Sequence, residues 1–340
     1  MKKKRKKIIT GFWALWLSVG LACGQQTELT FGKDGTFKIL QFADIHYKQG
    51  TPSAGRTIGL MRQLIKAEKP DIIVFTGDVV ISNPQRPGWD EVLATAIENR
   101  TPYAVVLGNH DDEHDWTRSQ IFDYILSKPF AVMEKGPGEL KGTGNCVVKV
   151  AGREAQTAAL LYFFDSNAYA RVDGQEGYDW FGYDQVDWYR RTARSFSQAA
   201  TPLPALAFFH IPFHEYTLLH DTAKSYVRAA PVFGVREEKE CPGILNTGMF
   251  ASMVECADVM GTFVGHDHDN DYIGYLNGIC LAYGRCTGAG SAYNKIGYGA
   301  RVIVLAEGRR EFETWIRDEK DQLLHHVSYP TSFLPDGQVF

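Results

Sequence analysis

The chain has no C-x-x-C pair, and its six cysteines are scattered singly over 340 residues. That spacing argues against a thiolate zinc site. The apolar run Ile8 to Leu21 falls short of the roughly 20 residues that a membrane-spanning helix needs. There is no internal repeat at a fixed period and no long low-complexity tract, which excludes solenoids and arrays. Excess positive charge is missing as well. Residues 1–22 carry six of the 36 Lys and Arg and none of the 40 Asp and Glu, leaving 30 against 40, a balance of −10. A chain so charged makes no case for nucleic acid or an anionic membrane surface as partner. An anionic substrate has to be drawn in locally, by a metal or an arginine.

What is present is an ordinary globular composition, 44% hydrophobic and 22% charged, able to bury a large core. The length suits one large α/β domain or two smaller ones. The N-terminus is a separate object. Met1 to Lys7 is basic, Ile8 to Leu21 is apolar, and Gly20-Leu21-Ala22 supplies small residues before Cys23. This is the pattern of an export signal over 1–22. Gly20-Leu21-Ala22-Cys23 resembles a bacterial lipoprotein box, with Leu21 one place nearer the cysteine than usual. Cys23 is therefore a candidate for lipidation, and the mature chain is expected in the periplasm, at the outer membrane or secreted. A lipid at Cys23 would be its only membrane attachment. Residues 23–36 read as a linker, 37–320 as the main folded domain and 321–340 as a C-terminal tail. Five cysteines follow Cys23. Cys280 with Cys286, or Cys241 with Cys256, could pair; buried free thiols are an equal reading.

Phe37 to Ala43 reads as a strand ending in Asp44-Ile45-His46. Arg56 to Glu68 has helical apolar spacing (Ile58, Met61, Leu64, Ile65). Asp71 to Thr76 is a second buried strand, ending in Gly77-Asp78, and Trp89 to Arg100 reads as a helix. Tyr103 to Leu107 is a third strand, and it stops at Gly108-Asn109-His110-Asp111. Taken singly, Asp78 is a helix cap and Gly108-Asn109 a turn. Taken together, three units of apolar strand, polar end and helix argue for a largely parallel sheet. Their polar ends then share one rim, where ligands bind in open α/β folds.

Ile121 to Leu126 is helical, and Cys146 to Val150 and Ala158 to Phe164 read as strands of a second sheet. Gly174 to Tyr183 reads as a loop over the site or a packed crossing segment. Asp184 to Ala200 reads as a helix capped by Asp184. Ala205 to Phe209 is a strand ending in His210, with His214 beyond a proline. Asn246 to Cys256 reads as helical. Asp258 to Val264 is a strand ending in Gly265-His266-Asp267-His268-Asp269. Tyr272 to Tyr275, Ile279 to Tyr283, Arg301 to Leu305 and Phe312 to Ile316 are further strands, and no structure is assigned beyond about Lys320.

Collected by strand end, the candidate ligands are Asp44, His46, Asp78, Asn109, His210, His266 and His268. This is an imidazole and oxygen set with no thiolate. It suits two divalent ions that share a bridging carboxylate, and Zn, Mn, Fe or Ni better than Ca, which wants oxygen only.

The order Asp-x-His, Gly-Asp, Gly-Asn-His-Asp, His, Gly-His-x-His resembles the calcineurin-like metallophosphoesterase family, over Asp44 to His268. Tyr162-Phe163-Phe164-Asp165-Ser166, Tyr178-Asp179-Trp180, Phe208 to Pro212 and Gly265 to Asp271 are similar to its purple-acid-phosphatase-related subgroup. The resemblance implies an α/β fold, a β-sandwich of two mixed sheets flanked by helices (αββα), with two metals at its rim. It implies that Asp44, His46 and His268 hold one metal, that Asn109, His210 and His266 hold the other, and that Asp78 bridges. It further implies hydrolysis of phosphate esters by a metal-bridging hydroxide, with His110 assisting the leaving group and Asp111 orienting His110. The tyrosine ligand of the purple enzymes would fall at Ile81, so their colour and obligate ferric iron are not expected. Arg285 and Tyr293, in the Gly284 to Gly299 loop, are candidate substrate contacts, although that loop could equally be a plain strand connection. The alternatives are a phosphodiesterase or nucleotidase of the same fold, and a surface binding protein whose metal is structural.

Overall fold

Alternation along the strands decides what each face of a sheet touches. In the stretch after Ala159, Leu160, Tyr162 and Phe164 point one way and Leu161 and Phe163 the other. Ala205, Ala207 and Phe209 likewise oppose Leu206 and Phe208. The first set packs under helices, and the second joins the core between two sheets. Phe163, Phe208 and Phe263 stack in a row across that core, with centroids 5.5 Å apart at each step. Phe312 of the facing sheet closes the row, 5.8 Å from Phe263.

The computed structural model describes residues 28–197, 202–220 and 230–334. The expected export signal and Cys23 lie outside them. In chain order the first elements are β1 (Leu29–Thr30), β2 (Thr36–Phe42), α1 (Pro52–Glu68), β3 (Ile72–Thr76), α2 (Gln85–Ile97), β4 (Tyr103–Val106) and α3 (Arg118–Leu126). There follow β5 (Cys146–Ala151), β6 (Thr157–Phe163), β7 (Tyr169–Val172), β8 (Gln175–Tyr178), α4 (Tyr183–Phe196), β9 (Ala205–Phe208) and α5 (Met249–Cys256). The last are β10 (Val259–Val264), β11 (Ile273–Leu276), β12 (Ile279–Tyr283), β13 (Gly299–Ala306), β14 (Phe312–Asp318) and β15 (Leu323–Tyr329).

Two mixed sheets result, as the resemblance implied. One runs β1-β5-β6-β9-β10-β12-β11, the other β15-β14-β13-β2-β3-β4. In the second, β2, β3 and β4 are parallel, with α1 and α2 as the crossovers. In the first, β6, β9, β10 and β12 are parallel. The carboxyl ends of β2, β3, β4, β9 and β10 meet at one rim. Among the described residues no helix is long and apolar enough to cross a membrane.

Several expectations are corrected. The segment 23–36 contains β1, which pairs with β5 in parallel. The segment 321–340 contains β15, an edge strand against β14, because its alternation is carried by half-buried residues that sequence pattern does not flag. Gly182, not Asp184, caps α4; the Asp184 carboxylate instead accepts the Lys141 amide at 2.6 Å. Gly174 to Tyr183 contains β8, which forms a hairpin with β7. Of the two readings for the cysteines, the free-thiol one holds: Cys146, Cys241, Cys256, Cys280 and Cys286 are all unpaired, and neither possible disulfide forms.

Candidate metal centre

Each rim strand delivers its polar residues through a sharp change of backbone direction. Asp44, His46, Asp78 and His266 all adopt left-handed backbone, with φ of 51°, 44°, 49° and 82°. Such conformations cost roughly 1–3 kcal/mol each in non-glycine residues and persist only where the surroundings over-determine them. Two glycines make the close approach feasible. Gly77 has φ 86°, and a Cβ there would strike the His210 ring; a Cβ on Gly108 would strike Asp78 Oδ1.

The carboxylates are aimed by backbone amides. His266 N donates to Asp44 Oδ1 at 2.9 Å, and His110 N donates to Asp78 Oδ1 at 2.8 Å. Two imidazoles are aimed by carbonyls. His210 Nδ1 lies 2.8 Å from Thr76 O, and His268 Nδ1 lies 3.3 Å from Tyr293 O. Each carbonyl accepts from Nδ1 and so reserves the Nε2 lone pair for a cation in the cluster, which is how outer groups select the ligating nitrogen.

Those lone pairs converge. Asp44, His46, Asp78 and His268 form one buried group that can hold a metal ion, and Asp78, His210 and His266 form another. Asp78 belongs to both. His46 Nε2 is 3.1 Å from His268 Nε2, and His210 Nε2 is 3.2 Å from both Asp78 Oδ2 and Asn109 Oδ1. His266 Nδ1 is 3.3 Å from His210 Nε2, while its Nε2 is buried without a partner. Nitrogens and oxygens gathered at these distances are an arrangement that a shared cation would satisfy.

Burial pushes His46 down to about 3 against the pull of Asp78, and holds His266 well below the usual histidine value. Burial also opposes protonation of His210, but Asp78 outweighs it and raises that imidazole to about 9. Burial raises Asp44. For Asp78 the neighbouring histidines outweigh burial and hold the carboxylate ionised. The donor set is therefore carboxylates and imidazoles, with burial keeping His46 and His266 neutral while Asp78 favours a positive charge at His210, and it is compatible with a dinuclear metal site.

His110 stands beside this cluster, its ring 5.5 Å from that of His46. Asp111 does not orient it. The Asp111 carboxylate is buried and turned back into the fold, where it accepts from Val79 N at 2.8 Å, Val80 N at 3.0 Å and Gly108 N at 2.7 Å. The partner of His110 is Glu113, whose Oε1 lies 2.9 Å from Nδ1. Arg285 is corrected likewise. Its guanidinium is buried on Asp271 and on the carbonyls of Ile296 and Gly297, so it is not free to meet a substrate. Tyr293 does reach the site: it stacks on His268 at 4.5 Å, and Glu238 takes its hydroxyl proton at 2.6 Å. His214 stays outside, on Gly243 O. Asp267 and Asp269 face away from the cluster, towards Tyr283 and Lys295.

The cluster floors a cleft of about 430 Å³ that Lys48, Ile81, Tyr178 and Tyr293 help to wall. Sequence reasoning missed Arg118 and Tyr169, and read Tyr178 only as part of a segment that could lie over the site, which it does. Arg118 ties the Leu107 and Gly108 carbonyls to Asp165 and Asp112 and so clamps the turn that carries Asn109 and His110. The two tyrosines sit at the open end of the β7–β8 hairpin. Its loop is Asp173-Gly174, both with positive φ, and Asp-Gly between short runs is the signal that could have revealed it.

The calcineurin-like phosphoesterase model matches residues 37–236. The chain belongs to that family. A probable inactive purple acid phosphatase 29 of Arabidopsis thaliana is 32% identical over 92% of this chain and 90% of its own length. A dimetal phosphatase from Danio rerio superposes with a TM-score of 0.58 at 13% identity, over 86% of this chain and 98% of that one. The purple acid phosphatase PPD1 of yellow lupin (Lupinus luteus) gives a TM-score of 0.50 at 13% identity, over 86% and 53%. These two structures share the fold. Family and cluster together make this chain a metal-dependent phosphoesterase.

Proposed function

We infer that the protein is an exported dimetal hydrolase of phosphate esters. The observation that carries this reading is the pair of Asp/His groups sharing Asp78, with His110 beside them in one cleft. In this reading Asp44, His46 and His268 hold one metal, Asn109, His210 and His266 hold the other, and Asp78 holds both. Bound there, the metals would neutralise phosphate oxygens and activate water as the nucleophile. The chain's own residues do the rest. His110, held at Nδ1 by Glu113, acts as the imidazolium: its other nitrogen gives its proton to the leaving oxygen, and the ring is left as the neutral imidazole still bonded to Glu113 through Nδ1. Lys48 and Tyr293 at the cleft wall meet the remainder of the substrate.

The Arabidopsis relative bears the name of a probable inactive enzyme, yet in this chain every expected ligand position and His110 are filled. That completeness supports catalysis over a merely structural metal. Export rests on the basic, apolar and small-residue pattern of 1–22. The test measures bound metal in the purified protein, then rates on a phosphate monoester and a diester with Mn, Zn, Mg and Fe. Two metal equivalents and hydrolysis are expected, both lost in Asp78→Asn. An Asp78→Asn protein as active as wild type overturns the reading.

A further inference from the structure

The β7–β8 hairpin touches both halves of the site through one hydroxyl. Asn109 Nδ2 donates to Tyr169 Oη at 2.8 Å. Tyr169 Oη donates in turn to Glu113 Oε1 at 3.2 Å, and that same oxygen lies 2.9 Å from His110 Nδ1. The direction of every link is forced. An amide NH₂ only donates, an ionised carboxylate only accepts, and a phenol does one of each. Nδ1 of His110 therefore carries its proton, and its other nitrogen is the one left for the cleft.

The same accounting orients Asn109. With Nδ2 committed to Tyr169, Oδ1 is the atom turned toward His210 Nε2 and the Asp78 group. Only the oxygen of an amide can ligate a cation. Among the described residues Tyr169 is the sole side-chain partner of Nδ2, so its hydroxyl is what holds that end of the amide away from the metal cluster. The hairpin is well placed to hold this post. Tyr169 and Tyr178 are paired across it with rings stacked at 5.8 Å, and Tyr178 packs edge-on against His266 at 4.2 Å.

We propose that Tyr169 is a positioning residue for the whole centre. Its hydroxyl turns the Asn109 carbonyl toward the second metal position and, through Glu113, holds the imidazole of His110. The proposal rests on the dimetal reading above. Tyr169 is 50% exposed, so Tyr169→Phe removes a hydroxyl from the surface side of the site and leaves the core intact.

The decisive measurement is metal affinity, by competition of Mn and Zn against a chelator, in wild type, Tyr169→Phe and the exposed control Tyr183→Phe. In Tyr169→Phe one of two sites weakens by about ten- to a hundredfold, as loss of a group supporting a metal ligand does. The other site is unchanged, and saturating metal restores occupancy. Glu113→Ala tests the second arm. It keeps both metal affinities, because Tyr169 still accepts from Asn109, but loses rate on an alkyl phosphate far more than on 4-nitrophenyl phosphate. Wild-type affinity at both sites in Tyr169→Phe overturns the metal arm, and equal losses on both esters in Glu113→Ala overturn the His110 arm. A wild-type protein that binds fewer than two metals defeats the dimetal reading itself, a result distinct from either.

Discussion

His110 is held by Glu113 and not by Asp111: Nδ1 lies 2.9 Å from Glu113 Oε1, while the adjacent aspartate spends its carboxylate on three backbone amides. Neighbours in sequence here have separate tasks. Successive side chains around a tight turn leave it in different directions, so one reaches the cleft and the next reaches back into the fold.

The first prediction concerns the proposed acid. His110→Ala should keep its metals and lose about 10²- to 10⁴-fold in kcat on alkyl phosphates, the span of a general-acid contribution. The loss on 4-nitrophenyl phosphate should be much smaller, since that leaving group departs without a proton. Metal analysis beside kcat for the two esters checks it, and metal lost along with activity would count against the assignment.

Asp111→Asn should be a stability variant. The carboxylate joins the turn after β3 to the turn after β4 with acceptors only, and an amide would set an NH₂ against one of those N–H groups. The cost is roughly 2–4 kcal/mol, read as a lower melting temperature. The same exchange at Asp112, half-buried on Arg118, should cost less.

Colour separates this site from that of the purple enzymes. Ile81 lies in the cleft wall where the resemblance would place their tyrosine ligand, and the nearby Tyr169 hydroxyl is engaged with Asn109 and Glu113. Protein loaded with ferric iron should show no strong visible charge-transfer band. A purple preparation would overturn this.

Acid sensitivity has one source away from the metals. Burial raises the Glu240 carboxyl, but Arg236 at 2.7 Å and the Tyr272 hydroxyl at 2.7 Å outweigh it and hold its pKa below the ordinary value. His220 also faces it, at 3.9 Å, with its own pKa lowered by burial and by Arg236. The folded protein thus binds this proton less readily than the unfolded chain. The stabilisation is full above the ordinary glutamate pKa and is lost as the pH falls through the folded value. The melting temperature of wild type should exceed that of Glu240→Gln at pH 7, and the gap should close below about pH 4.

The rim was legible in the sequence because its signals are local. An apolar run that stops at Gly77-Asp78 or at Gly265-His266 announces both a buried strand and a turn that aims the next side chains, and parallel strands carry those ends to one edge. All seven proposed ligands are residues of such strand ends. The sequence alone determined the rim strands, their polar ends and, through them, the residue types that the cluster contains.

Tertiary structure decided which group each of the others meets. Whether Arg285 faces a substrate or Asp271, whether His110 is held by Asp111 or Glu113, and whether Leu323–Tyr329 is a tail or an edge strand depend on crossings between distant segments. Tyr169 is the clearest case. Its place over Asn109 comes from a hairpin 60 residues further along the chain, and nothing in the spacing of either segment encodes that meeting. A hydrogen bond acts over about 3 Å and only along the right angle, so its partner is settled by the packed chain and not by the order of residues.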